Sequence, residues 1–291
     1  MDIFISAISQ GILWGLLSLG VFISFRILNI ADMTTEGTFP LGAAICMTAI
    51  SRGVSPLLAT ILAVCGGVLA GLVTGFLITT CRIPSLLAGI LTMTGLLSIN
   101  LRVMGRPNLT LLDKDTIFTP ATQLTLPHHY DTILVGVFGV SLLIYLMFVF
   151  FKTELGQGLI ATGDNPKMAT SFGISTKKMT LLGLMLSNGI VALAGAIISQ
   201  HNGYADVNSG LGVIVIALAA IIIGEVLFSK VSFLERLICT VYGSIIYRVL
   251  LVGVLKLQVI EANDFKLVSA ILIALFLTMP HLRKKGQKGG V

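Results

Sequence analysis

Six stretches of this chain, 3–25, 53–81, 83–101, 132–151, 179–200 and 207–224, run without one charged residue or histidine. A helix rises 1.5 Å per residue, so about 20 such residues cross the roughly 30 Å hydrocarbon core of a bilayer. No water in that core can satisfy a free N–H or C=O, so a spanning chain must be helical or a closed barrel. The ten-residue alternation of a barrel strand is nowhere visible, which leaves helices. With 55% hydrophobic and 11% charged residues, the chain lies far from soluble domains, which carry about 25% charge. The expected fold is an all-α integral membrane protein, a polytopic helical bundle. Two short apolar runs, 37–51 and 267–280, and the stretch 232–254, interrupted by Glu235, Arg236 and Arg248, raise the expected count to nine spans. Arg82 falls in the short turn between the third and fourth.

Residues 1–280 read as a single membrane domain and 281–291 as a basic tail. Lys/Arg excess marks cytoplasmic segments. Lys152, Lys167, Lys177 and Lys178, and Arg283, Lys284, Lys285 and Lys288, are expected to place 152–178 and the C-terminus on the cytoplasmic side of the cell membrane. Counting back puts the N-terminus and the loop 105–131 outside, although Arg52, Lys256 and Lys266 fall on the wrong side. The net charge of +6 is this positive-inside bias; no basic stripe with interleaved aromatics suggests a nucleic-acid partner. The first apolar run is too long, and lacks the basic flank, for a cleaved signal peptide. Cys46, Cys65, Cys81 and Cys239 and the four histidines are scattered, without C-x-x-C or metal-like spacing. The cysteines are expected as small buried residues. No nucleophile with its base, no H-E-x-x-H and no G-x-x-x-x-G-K-[ST] occurs, so neither catalysis nor a cofactor of its own is expected.

Polar residues inside such a chain need a reason. In "NIADMTTEGTFPLGAA", residues 29–44, Asp32 can cap a helix beginning near Met33, with Glu36 in its first turn. Gly37 and Pro40 would be tolerated there because it is a helix start. Thr34, Thr35 and Glu36 could instead line a gate or pathway, or meet a substrate ammonium directly. Asn29 and Met33 with these threonines would suit a zwitterion with an apolar side chain. Asn188 lies mid-span beside Gly189, Ala192 and Gly195, which fits a helix-packing hydrogen bond or a pathway position. Glu225 closes its span, near enough to Lys230 for an ion pair, or serves a gate. Arg248 could snorkel, pair with Glu235 or Glu261, or serve the pathway. The order breaker, short span, span, span begins at Asp32 and again at Asp206, with an odd number of crossings between; this is the pattern of an inverted repeat.

Residues 152–178 form a long polar insert. Asn165 can N-cap a short helix with Pro166 at its first position, and Gly173 suits the place just past its end. Met168, Ala169 and Phe172 would then share one apolar face. That face must pack on this protein's own helices or on a partner.

The stretch "ATGDNPKMATSFGISTKKMTLLGLMLSNGIVALAGAII" resembles the permease subunits of ABC importers of the branched-chain amino acid and ribose group. "ILNIADMTTEGTFPLGAAI", "IPSLLAGILTMTGLLSINLRVMG" and "PNLTLL" are similar to a subgroup thought to serve aromatic amino acids such as tryptophan or tyrosine. The resemblance implies a type II importer half, with two permease copies forming the pathway. Two ABC ATPase subunits beneath would bind ATP and Mg, and an extracellular solute-binding protein would deliver the cargo. It further implies that Gly163, Asp164, Asn165, Pro166, Met168, Ala169, Phe172, Gly173 and Ile174 form the coupling helix that docks on the ATPase. Two other classes remain to be weighed: an ion-coupled carrier, which would want ionisable groups clustered in mid-membrane, and a membrane enzyme, which would want the missing nucleophile.

Overall fold

In the computed structural model, residues 2–111, 114–122, 130–228 and 232–256 are described, with Ala270 and Ala274 besides. The rest of the expected span 267–280, the tail 281–291, and Asp113, Lys230, Glu261 and Lys266 lie outside the described residues. The chain forms α1 (Asp2–Phe22), α2 (Thr35–Ser51), α3 (Pro56–Thr79), α4 (Ser85–Met104), β1 (Asn108–Thr110), α5 (Thr119–Thr122), α6 (Tyr130–Lys152), α7 (Glu154–Asp164), α8 (Pro166–Ser171), α9 (Thr176–Asn202), β2 (Tyr204–Asp206), α10 (Val213–Leu227) and α11 (Phe233–Lys256). A π-helical turn, Ile23–Ile27, ends α1, and a 3-10 turn, Val207–Gly210, precedes α10.

Seven of the described helical segments are long and apolar enough to cross a membrane. The short run expected at 37–51 is α2, whose 17 residues reach only about 25 Å. It is not exposed to solvent or lipid over most of its length; α1, α2 and α9 supply much of the buried core. α3, α4 and α6 turn large side chains outward, as lipid-facing helices do. Of the cysteines expected to be buried, Cys46 and Cys239 are, but Cys65 and Cys81 are exposed; they sit on the outward face of α3 and just past its end. Arg82 does occupy the α3–α4 turn, with φ of 55°.

Small residues bring the backbones together, since lipid offers no hydrophobic drive for helix association and close van der Waals contact must supply it. Gly42 of α2 abuts the Ala192 carbonyl, and Gly195 of α9 abuts that of Phe39; a Cβ at either glycine would strike backbone.

The inverted repeat is visible in the packing. With Asp32 laid on Asp206 and the register kept without a gap, α1 falls on α9, α2 on α10 and α3 on α11. Asn29 (φ 55°) falls on Gly203 (φ 74°), each the left-handed residue that stops a long helix. The Asp32 carboxylate accepts from Thr34 N, two residues on, at 2.9 Å, and Asp206 accepts from Asn208 N at 2.7 Å. Gly11 packs against the Ile245 backbone, and at the equivalent positions Gly71 packs against that of Met185. α1 and α9 run antiparallel, with Leu28 at Gly183 and Gly20 at Val191. β1 and β2 pair antiparallel, Leu109 opposite Ala205, at the end of α9 remote from α8.

Candidate functional site

The breaker at 28–34 folds into a buried polar knot. Asp32 is 2% exposed. Its Oδ1 takes the Thr34 N–H, and its Oδ2 accepts from Asn188 Nδ2 at 2.7 Å. The Asn188 amide also donates to the Leu184 carbonyl and receives the Thr38 hydroxyl at 2.8 Å. Thr38 shares that proton with the Thr34 carbonyl at 3.0 Å. Thr74 Oγ1 donates to the Ala70 carbonyl, so across the 2.8 Å contact between the hydroxyls Thr34 is the donor. Three helices, α2, α3 and α9, and the breaker are thus tied through buried side chains whose polar groups are paired, as buried polar groups require.

This geometry corrects the reading of Asp32 as a helix cap. α2 starts at Thr35 and its N-cap Thr34 has no side-chain cap bond; the Asp32 carboxylate holds Thr34 N in the turn before the helix with one oxygen and bridges to α9 with the other. Thr35 donates back to the Asp32 carbonyl. Pro40 is not at a helix start either: it is the sixth residue of α2, where it removes the bond to the Glu36 carbonyl. Gly210 approaches that freed oxygen so closely that a Cβ would overlap it. Glu36 lies in the first turn as expected, but its Oε1 accepts from Gly212 N at 3.1 Å, linking α2 to the start of α10. Met33 packs on the main core and against Gly89 of α4.

Glu36 also lines a cavity of about 280 Å³ with Pro40, Asn100 and Asn208. Asn100 is fully buried; its amide donates to the Gly37 carbonyl, while its Oδ1 has no partner among the described residues. Sequence reasoning missed Thr38, Thr74 and Asn100. Thr38 follows Thr34 by one helical turn and Asn100 is an amide in an apolar span, so both carried the signal that singled out Asn188.

Glu225 pairs with Arg26: Arg26 Nε lies 2.7 Å from Glu225 Oε1, while the expected partner Lys230 lies outside the described residues. The angle makes no hydrogen bond there, so this is a charge contact. Both side chains are partly exposed, and such a pair adds at most about 1 kcal/mol. Arg248 neither snorkels nor meets Glu235; its Nη2 and Nε donate to Gln10 Oε1 at 2.7 and 3.1 Å, and its Cζ lies 5.2 Å from the Trp14 ring centre.

The insert folds as two short helices. Thr153 caps α7 through Gly156 N, and Asn165 Oδ1 caps α8 through Met168 N at 3.1 Å, with Pro166 first in the helix. α8 closes in a Schellman motif: Ile174 N bonds the Ala169 carbonyl and Gly173 N that of Thr170, with Gly173 at φ 81°. The expected common face of Met168, Ala169 and Phe172 is split. Ala169 is fully buried against the body, whereas Met168 is 45% and Phe172 76% exposed. Asp164 ends α7. Gly163 is pressed on the Ile27 carbonyl with no room for a Cβ, and its own carbonyl accepts from Asn29 Nδ2 at 3.0 Å. The insert is therefore fastened to the π-turn of α1, a few residues before Asp32.

The sequence matches the family profile described as branched-chain amino acid transport system / permease component over residues 3–278. It is 37% identical over 278 residues to the tyrosine transport system permease protein of Clostridioides difficile (strain R20291), covering 96% of this chain and 91% of that one. It is 26% identical to the autoinducer 2 import system permease protein LsrC of Salmonella typhimurium (strain LT2), over 72% of this chain and 59% of LsrC. The solved structure of PsaBC from Streptococcus pneumoniae in complex with Fab shares the fold, with a TM-score of 0.52 at 15% identity, covering 94% of this chain and 89% of that chain. A profile that spans nearly the whole sequence and a full-length relative at this identity agree with the bundle and its insert: the chain is a multi-pass membrane protein and belongs to the branched-chain amino acid transport system permease family of ABC transporters.

Proposed function

We propose that this chain is the membrane half of an importer that carries an aromatic amino acid, tyrosine or tryptophan, into the cell, driven by partner ATPases. The observation that carries the proposal is the α8 surface. A short, well-capped helix outside the spans holds Phe172 and Met168 exposed while Ala169 anchors it to the body. Covering a phenylalanine of this kind contributes about 1.5–3 kcal/mol, which a solitary carrier leaves unused and a docked ATPase would gain. The contacts of Gly163 and Asn29 link α8 to the end of α1 and on toward Asp32, so a push on α8 has a packed route to the polar knot.

On this reading residues 163–174 face the cytoplasm together with the C-terminus, and the N-terminus and the β1–β2 end face outward, where a solute-binding protein would deliver cargo. A second copy of the chain completes the pathway. ATP and Mg belong to the partner, which hydrolyses the nucleotide. Glu36 and Asn100, in their cavity, are the pathway-lining pair, while Asp32, Thr34, Thr35 and Asn188 hold the knot that separates the two ends. The amino-acid assignment leans on the name of the 37% identical relative.

The test is uptake of labelled L-tyrosine into vesicles carrying the chain with its ATPase and binding protein. Uptake that needs internal ATP and all three components is the expected result. Tyrosine uptake by the chain alone, driven by an ion gradient, would refute the importer reading; ATP-driven uptake of some other solute with no tyrosine transport would refute the substrate.

A further inference from the structure

The ungapped repeat register sets two places in the bundle side by side. Near α8, Asp32, Thr35, Thr74 and Asn188 close on each other and on the backbone through hydrogen bonds, leaving a solid knot. Their equivalents at the other end are Asp206, Ser209, Arg248 and Trp14. These four do not close. They line a cavity of about 230 Å³, together with Phe39 and Tyr204.

The cavity is unsatisfied in a specific way. Asp206 uses Oδ1 for Asn208 N, and nothing among the described residues binds its Oδ2, the atom that in Asp32 takes Asn188. The Thr35 hydroxyl donates to a carbonyl, whereas the equivalent Ser209 Oγ is buried with no partner among the described residues. Arg248 presents five N–H groups, of which Gln10 takes two. The guanidinium is held in place by that bidentate contact and by the Trp14 face 5.2 Å away. Trp14 and Phe39 stack with centroids 5.8 Å apart at 26°. One fixed cation, one half-used carboxylate, an orphaned hydroxyl and an aromatic wall face one small volume.

We infer that this cavity is a recognition site, within the permease itself, for a free α-amino acid with an aromatic side chain. Arg248 receives the carboxylate, Asp206 Oδ2 and Ser209 hold the ammonium end, and the ring lies along Trp14 and Phe39, with Tyr204 at the mouth. Charge-assisted bonds are the strong ones, and aromatic faces add a preference for a ring over an aliphatic chain. The inference deepens the amino-acid reading above and rests on it.

Trp14 is the only tryptophan in the chain, so its fluorescence reports occupancy directly, with neither ATPase nor binding protein present. The full chain in detergent is titrated with L-phenylalanine, which adds no indole signal, and with L-phenylalaninamide, which lacks the carboxylate. Wild type should give a saturable change, with the amide weaker by about tenfold or more, the value of one charge-assisted bond. In Arg248→Gln the acid should weaken to the level of the amide, removing the discrimination; a general packing defect would weaken both ligands together and keep it. Asp206→Asn, on another element, gives a second reading against 3-phenylpropionate, which lacks the ammonium. A silent Trp14 up to the solubility limit, or discrimination unchanged in both variants, overturns the site. Tyrosine uptake by the complete importer with a silent Trp14 would sink this cavity alone; a responsive Trp14 without tyrosine uptake would sink the importer's substrate and leave the cavity standing.

Discussion

Replacing Asn188 with leucine tests whether the polar knot holds the bundle together. The substitution keeps the branching at Cγ, in a bulkier side chain of higher helix propensity, but strips the donor from Asp32 Oδ2, 2.7 Å away, and the acceptor from Thr38. Thr38 retains the Thr34 carbonyl, so its loss is small. Asp32, 2% exposed, cannot turn to water, and a buried group left unpaired costs about 1–3 kcal/mol, more if charged. Hydrogen bonds between transmembrane helices average only about 0.6 kcal/mol, because the unfolded reference also finds partners. A carboxylate with two fixed donors should exceed that average, and we expect a net loss of about 2 kcal/mol. At roughly 2–4 °C per kcal/mol for a chain of this order of size, the melt should fall by about 4–8 °C. The assay is thermal unfolding in detergent, followed by Trp14 emission, of wild type, Asn188→Leu, Asp32→Leu and the double variant. Removing both partners should cost less than the sum of the singles by about 1 kcal/mol. Strictly additive effects, or an Asn188→Leu melt within about 1 °C of wild type, would refute the reasoning and leave the knot a coincidence of packing.

Other expectations follow from particular contacts. Gly163→Val forces α7 off the Ile27 carbonyl, so ATP hydrolysis by the assembled importer should no longer be stimulated by cargo, while assembly persists; unchanged stimulation would argue against that route. Gly42→Leu drives a side chain into the Ala192 backbone and should abolish folded protein in detergent, as overpacking of backbone-tight contacts costs about 1–3 kcal/mol or more; a normal elution profile would contradict the packing. Arg26→Gln removes an exposed ion pair and should shift the melt by no more than the equivalent of about 1 kcal/mol. Glu36→Gln keeps an acceptor for Gly212 N but removes charge from its cavity, so uptake should fall with stability unchanged; full uptake would leave Glu36 a structural link only.

Much of this architecture was written plainly in the residues. Charge-free runs gave the spans because hydrocarbon penalises every unpaired polar group alike, wherever the helix packs. Asn165, Pro166 and Gly173 announced α8, since capping is local chemistry read within a few residues. Which face of α8 looks outward was not local: Ala169 turns inward because Thr176 onward and α7 lie on that side, and only the packed fold decides it. Asp32 misled for the same reason. A carboxylate before a helix reads as a cap, and one oxygen does take the nearby Thr34 N–H, but the other goes to a partner 156 positions away that no local pattern reveals. The repeat was legible as a rhythm of breakers, and its register became clear only when the left-handed stops Asn29 and Gly203 and the paired aspartate turns could be compared. The cavity at Arg248 left no motif at all, because Trp14, Ser209 and Arg248 come from three separate elements.

The account stands or falls on whether α8 is an ATPase docking surface. The direct measurement is to purify the chain from its native membrane in mild detergent, as wild type and as Phe172→Asp, and weigh what accompanies each by mass spectrometry. The account predicts a Walker-type ATPase at one copy per permease with the wild type, and its loss from a folded Phe172→Asp protein. A chain that comes out alone and still carries solute down an ion gradient, or an ATPase retained undiminished by Phe172→Asp, would contradict it.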